Sequence, residues 1–179
     1  MFGERHGFGV CMSARYLGGY IGNNKSKHNW LRERTLTWEK KISTISETAG
    51  KYPQESYATV VRVIQPEWIF LQFVTWDTGD AFTGVEKMIW ETFLSRLFFG
   101  KTKTLSLIVG YLSTIPVKKS GLGLLNSVTS SQAKYLSYQQ ESAELFWAVT
   151  GGGEFSNADH LRTLSEERHD RKKARDVAY

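Results

Sequence analysis

Apolar positions change period along this chain, and each change marks an element. Between Ser13 and Asn24, "SARYLGGYIGNN" holds two short apolar and aromatic runs around Gly18-Gly19. Adjacent glycines supply the positive φ angles of a tight hairpin turn, so this stretch reads as a β-hairpin. A lone hairpin is marginal in water and must pack on something. From Asn29 to Ala49 the period becomes helical: Leu31, Trp38, Ile42, Ile45 and Ala49 share one face, with Asn29 as N-cap and Gly50 as stop. Arg32, Arg34, Glu39, Lys40 and Lys41 lie off that stripe and should face water.

A second helix opens at Tyr52-Pro53 and runs through Tyr57, Val60, Val61, Ile64, Leu71 and Val74, with a kink or break expected near Gln65 because Pro66 follows. The aromatic segment from Trp68 to Trp76 should be buried, and Asp77–Asp80 reads as a loop. A third helix spans about Ala81 to Phe99. Phe82, Val85, Ile89, Phe93 and Leu97 form its main face, Met88, Leu94 and Phe98 widen it, and Gly100 ends it. A short helix follows from about Thr104 to Ser113. "IPVKKSGLGLLN", Ile115 to Asn126, is an irregular connector. A fourth long helix runs from about Val128 to Val149 with Leu136, Ala143, Phe146 and Val149 inward. A last helix starts near Ser156 or Asn157 and ends in the solvated run "EERHDRKKARD". The fold class is mainly α: a short N-terminal β-hairpin, then a bundle of about five to six helices. Three regions follow: 1–28, glycine-rich start and hairpin; 29–114, helical bundle; 115–179, connector and C-terminal helices.

Composition supports a packed core, with 41% hydrophobic and 13% aromatic residues among 179. The net charge of +5 is uneven. Residues 1–50 carry 8 basic and 4 acidic side chains, and residues 101–150 carry 5 and 2, whereas 51–100 carry 4 and 6. Clustered positive charge favours polyanions. The single cysteine, Cys11, excludes an internal disulfide and reads as a packed residue, which fits an intracellular compartment, nucleus or cytoplasm. No apolar run is long enough to span a bilayer, so no membrane partner is expected.

Catalytic constellations are lacking. His6, His28, His160 and His169 are scattered, without metal-ligand spacing. Asp159-His160 are neighbours on a helix and point apart, so His160 reads as an interfacial or capping residue. Asp77 and Asp80 flank a turn and make a poor cation site. No G-x-S-x-G and no Walker-type loop occur, and Gly3, Gly7 and Gly9 lack the context of a nucleotide loop. The expected catalytic and metal sites are therefore none, with no cofactor or small-molecule ligand. Arg15, Lys25, Lys27, Arg32 and Arg34 are candidates for phosphate contact, and Tyr16 and Tyr20 for packing on sugars or bases. The competing reading buries the tyrosines against the first helix.

An ordered series of motifs carries a resemblance. It comprises "ARYLGGYIG" at 14–22, Trp30-Leu31, Trp38, "YPQESYA" at Tyr52–Ala58, "QPEWIFLQ" at Gln65–Gln72, Val85-Glu86, "FLSRLFFG" at Phe93–Gly100, "IPVKKSGLGL" at Ile115–Leu124, and "ADH" at Ala158–His160. The series resembles the region following the catalytic palm of non-long-terminal-repeat-like retroelement reverse transcriptases. There the pattern is R/K-Y-L-G, a helical block with W-x-Y/F-L-Q, then L-P-x-K-x-G-G-L-G-L. The resemblance implies that Arg15, Tyr16, Leu17, Gly18 and Gly19 match a primer-side hairpin, and that the helices from Asn29 onward match a thumb holding the template–primer duplex. Lys118, Gly121 and Gly123 match the later motif. Ser120 stands where the family has the first glycine of Gly-Gly-Leu-Gly, so a left-handed backbone there would be strained. The family's Y-x-D-D palm motif, through which it uses divalent metal, has no counterpart: the chain holds no Asp-Asp. The resemblance thus implies a non-catalytic reverse transcriptase fragment with weak affinity for nucleic acid and a missing palm as partner. The alternative is a free-standing helical protein-interaction module derived from a retroelement.

Overall fold

Two antiparallel strands begin the fold in a computed structural model that describes residues 13–16, 18–101, 104–151 and 155–177. Strand β1 (Ser13–Tyr16) pairs with β2 (Gly19–Gly22) in the register Ser13↔Gly22, Ala14↔Ile21, Arg15↔Tyr20 and Tyr16↔Gly19. Gly18 takes the positive φ of the turn, +82°, while Gly19 already belongs to β2. The two glycines therefore differ in purpose, although the sequence pattern assigns both to the turn. A Cβ on Gly19 would lie 3.2 Å from Val74 Cγ2, and one on Gly18 2.6 Å from Phe70 Cε1. The hairpin leans on the helix carrying Phe70 and Val74, and lacks side chains at the points of closest approach.

Beyond the hairpin the described residues are mostly helical. Helix α1 is Asn24–Ala49. It starts five residues before the predicted cap, because Asn23 Oδ1 accepts from the Ser26 amide at 2.9 Å and captures the N-terminus. The stripe of Leu31, Trp38, Ile42 and Ala49 is buried as expected, and Gly50 follows as the stop. Next come α2 (Pro53–Thr59), a π-helical stretch at Val60–Ile64, and α3 (Gln65–Val74). The chain does not break at Pro66. Proline offers no N–H to the Arg62 carbonyl, and the helix widens ahead of it so that the Gln65 amide reaches Val60 O, five residues back.

A short 3-10 turn (Gly79–Phe82) leads into α4 (Thr83–Lys87), a second π stretch (Met88–Leu94) and α5 (Ser95–Phe99), where the sequence pattern predicts one plain helix. Gly100 ends this rod in the left-handed conformation, φ +67°. The two glycine stops meet: a Cβ on Gly50 would lie 2.9 Å from Gly100 Cα. Then follow α6 (Leu107–Thr114), a 3-10 turn (Val117–Lys119), α7 (Ser130–Gly151) and α8 (Asn157–Val177).

One apolar core joins α1, the α2–α3 rod and the α4–α5 rod. Trp38 stacks on Phe82 at 5.6 Å and meets Trp68 edge-on at 6.2 Å. Leu31, Ile42, Val60, Ile64, Val85, Ile89, Phe93 and Leu94 surround them, and Leu124 of the connector joins the same cluster. Each such side chain contributes about 1.5–3 kcal/mol of transfer free energy. Two apolar expectations are corrected. Of the aromatic side chains in that segment only Trp68 is fully enclosed, while Phe70 and Trp76 are exposed and Phe73 is partly so. Phe98, assigned to the inward face of the third helix, is exposed too.

Helix α7 lies along α3 on a different face from the one its apolar residues suggest. Ser131 is buried, Lys134 and Tyr135 are partly buried, and Leu136, Phe146 (59% exposed) and Val149 (80% exposed) face outward. On this face Lys134 reaches the buried Gln72 of α3.

Candidate functional site

The connector is held by side chains of the core helices. The Tyr57 hydroxyl donates to Leu122 O at 2.5 Å. The Gln65 amide donates to Gly123 O and accepts from the Leu125 amide, both at 3.3 Å. Gln72 Nε2 donates to Ser127 O at 2.6 Å, and Glu86 Oε2 accepts from both Ser127 N and Oγ at 2.9 Å. From α7, Lys134 Nζ donates to Gln72 Oε1 at 2.6 Å and to Ser130 Oγ at 2.8 Å. Glu86 also accepts from the Trp90 indole. Gln72 is fully buried, so its amide is satisfied only through this network. Burial lowers the Lys134 pKa to about 8, against the opposing pull of the Glu86 carboxylate. The motif series contains Tyr57, Gln65, Gln72, Glu86 and the connector, but nothing in the sequence pattern links them to one another, and Ser127, Ser130 and Lys134 lie outside it.

The structure brings some of the sequence-predicted site residues together and separates others. Arg15, Lys25, Arg32 and Arg34 are exposed. Lys25 and Arg32 are seven residues apart on α1 and share a face. Arg15 Nη2 stands 4.0 Å from Glu33 Oε2, bringing the hairpin beside the same end of α1. Gly18 and Gly19 form the seat of the hairpin on α3. Tyr16 contributes backbone pairing to β1, and Leu17 lies outside the described residues, as do Cys11 and His6.

Lys27 is the correction. The sequence pattern makes it a phosphate contact, yet it is 2% exposed. Because α1 starts at Asn24, Lys27 falls on its inner face, and its ammonium reaches Trp76 O (3.2 Å), the Trp76 ring (3.6 Å to the centroid) and Asp77 Oδ2 (3.8 Å). Desolvation lowers its pKa, and Asp77 pulls the other way. Tyr20 also packs inward, stacked on Trp30 at 5.3 Å.

Lys118 does not join the hairpin cluster. It is exposed on the 3-10 turn of the connector, whose next residues sit beside Tyr57, whereas the hairpin sits beside Phe70 and Val74. At 1.5 Å per residue these levels of the rod are about 20 Å apart. Ser120 does adopt the left-handed conformation, φ +65° and ψ +19°. His160 lies between α7 and α8, as an interfacial residue: its Nδ1 is 3.2 Å from Glu144 Oε2, and Thr163 donates to the other Glu144 oxygen at 2.9 Å.

Among the described residues no group of three His, Cys, Asp or Glu is arranged to hold a metal, and no helix is long and apolar enough to cross a membrane. A cleft of about 380 Å³ opens beside the hairpin, between β2, the end of α3 and α7. Its walls include Tyr20, Phe73, Tyr135, Tyr138 and Gln139, of which the sequence pattern points only to Tyr20. No family profile, curated protein or solved structure matches the chain.

Proposed function

We propose that this chain is a non-catalytic nucleic-acid-binding unit, equivalent to the primer-side hairpin and thumb of a retroelement reverse transcriptase. The observation that carries the reading is the exposed basic set of Arg15, Lys25 and Arg32 at the hairpin end of α1. These cations stand on elements docked to a rigid core, so a phosphate backbone meets them without ordering a loop first. The Arg15–Glu33 pair is exposed on both sides and exchanges for a phosphate at little cost. The ordered motifs from "ARYLGGYIG" to "IPVKKSGLGL" add the family expectation.

The test is binding of the whole chain to a labelled nucleic-acid duplex across a salt series. Affinity should fall steeply with salt. Changing Arg15, Lys25 and Arg32 together to alanine should reduce the slope by about one for each phosphate that is no longer neutralised. Salt-independent binding, or an unchanged slope in the triple variant, overturns the reading. A second reading, a helical protein-interaction module, is favoured by one observation: Phe146, Trp147 and Val149 are exposed together near the end of α7. It requires a partner whose binding is lost on Trp147→Ala and little affected by salt.

A further inference from the structure

We infer that the cleft between β2, the end of α3 and α7 is a pocket for an unpaired nucleobase. This deepens the nucleic-acid-binding reading and rests on it, naming a single strand as the ligand. The cleft, about 380 Å³, lies at the small end of the range for ligand sites. Its walls present the rings of Phe73, Tyr135 and Tyr138. Phe73 and Tyr138 are 6.5 Å apart and tilted by 52°, so they do not stack face to face and leave ring surface for a planar guest.

The polar groups suit a base better than a charged ligand. None of the described lining residues carries a formal charge. Gln139 is exposed at the wall, and its Nε2 makes only a long 3.3 Å contact to the Tyr135 hydroxyl. A carboxamide offers a donor and an acceptor side by side, the pattern found on the edges of bases. Charge sits next door. Arg15 is the cross-strand partner of Tyr20, which itself lines the cleft, so both side chains belong to one face of the hairpin. A strand whose phosphates pass Arg15 is therefore beside the aromatic walls. A base held in a duplex has its faces covered by its neighbours, while an unpaired base has them free to stack.

The experiment uses the whole chain and two fluorescein-labelled strands of about twelve nucleotides, one oligothymidylate and one abasic, at a fixed salt concentration. Oligothymidylate should bind more tightly than the abasic strand. Tyr138→Ala should weaken oligothymidylate about tenfold and leave the abasic strand unchanged, and Tyr138→Phe should restore the affinity. Gln139→Ala, at an exposed position, should also weaken only oligothymidylate. Equal binding of the two strands, or no loss in Tyr138→Ala, overturns the pocket. If that binding still responds to salt and to the basic triple variant, the reading under Proposed function stands. Absence of binding to either strand or to duplex overturns both.

Discussion

The Lys27 ammonium lies 3.6 Å from the centre of the Trp76 ring, in a site that leaves the residue only 2% exposed. It also reaches the Trp76 carbonyl and the Asp77 carboxylate. Asp77 holds a positive φ of +52°, so the lysine clamps a strained turn between α3 and the 3-10 turn that precedes α4. Two lysines two residues apart thus have opposite assignments. Lys27→Ala should destabilise the fold by about 2 kcal/mol, read as a lower urea midpoint. Lys25→Ala should leave stability within about 0.5 kcal/mol and reduce the salt dependence of nucleic-acid binding. Equal stability losses in the two variants would reject this division.

Lys134 should give the fold a stability that rises in alkali. Its folded pKa is about 8, below the ordinary 10.5. Below about pH 8 both folded and unfolded chains hold the proton, and the penalty for burying the charge is present in full. Between about 8 and 10.5 the unfolded chain holds more proton than the folded one, so this group's contribution rises with pH. The measurement is the difference in urea stability between the native chain and Lys134→Met, taken across that window. The native chain should gain on the variant as pH rises, and a flat difference would contradict the assignment.

Ser120 and Gly121 respond oppositely to a change in the number of side-chain carbons. Ser120 is left-handed, where a Cβ is strained, so Ser120→Gly should raise stability by roughly 0.5–1 kcal/mol, net of the added freedom of the unfolded chain. Gly121→Ala should cost several times more, because its Cβ would sit 2.0 Å from the Ile115 carbonyl oxygen. Thermal unfolding of the two single variants checks both signs.

Trp38 and Trp68 are both in the core but differ in their indole N–H groups. Trp38 Nε1 donates to Glu67 Oε2 at 2.8 Å, while the buried Trp68 Nε1 has no partner. Burial pushes the Glu67 carboxyl up, but hydrogen bonds from Lys41 and Trp38 and the charges of Lys41 and Arg34 outweigh it and leave the pKa below its ordinary value. Trp38→Phe should therefore cost about 1–2 kcal/mol more than Trp68→Phe, since only the first breaks a charge-assisted bond. A larger loss at Trp68 would show that cavity formation, not hydrogen bonding, separates them.

Much of the architecture is legible along the chain because it depends on neighbours in sequence. The α1 stripe follows from the helical period, the ends at Gly50 and Gly100 from glycine, and the hairpin from two short apolar runs around Gly18-Gly19. The left-handed conformation at Ser120 is a property of the folded connector. The pattern points to Asn29 as the cap, but Asn23 captures the N-terminus, and the earlier start places Lys27 against Trp76. Helix α7 has an apolar face through Leu136 and Phe146, yet it turns Ser131 and Lys134 inward. A buried Gln72 needs partners for both ends of its amide, and Lys134 and the Ser127 carbonyl, 62 and 55 residues away, supply them. Local period and capping propensity thus determined which segments are helices and where most of them stop. The rotation of α7, the burial of Lys27 and the aromatic cleft were decided only in the tertiary structure, because each depends on groups that meet across long stretches of chain.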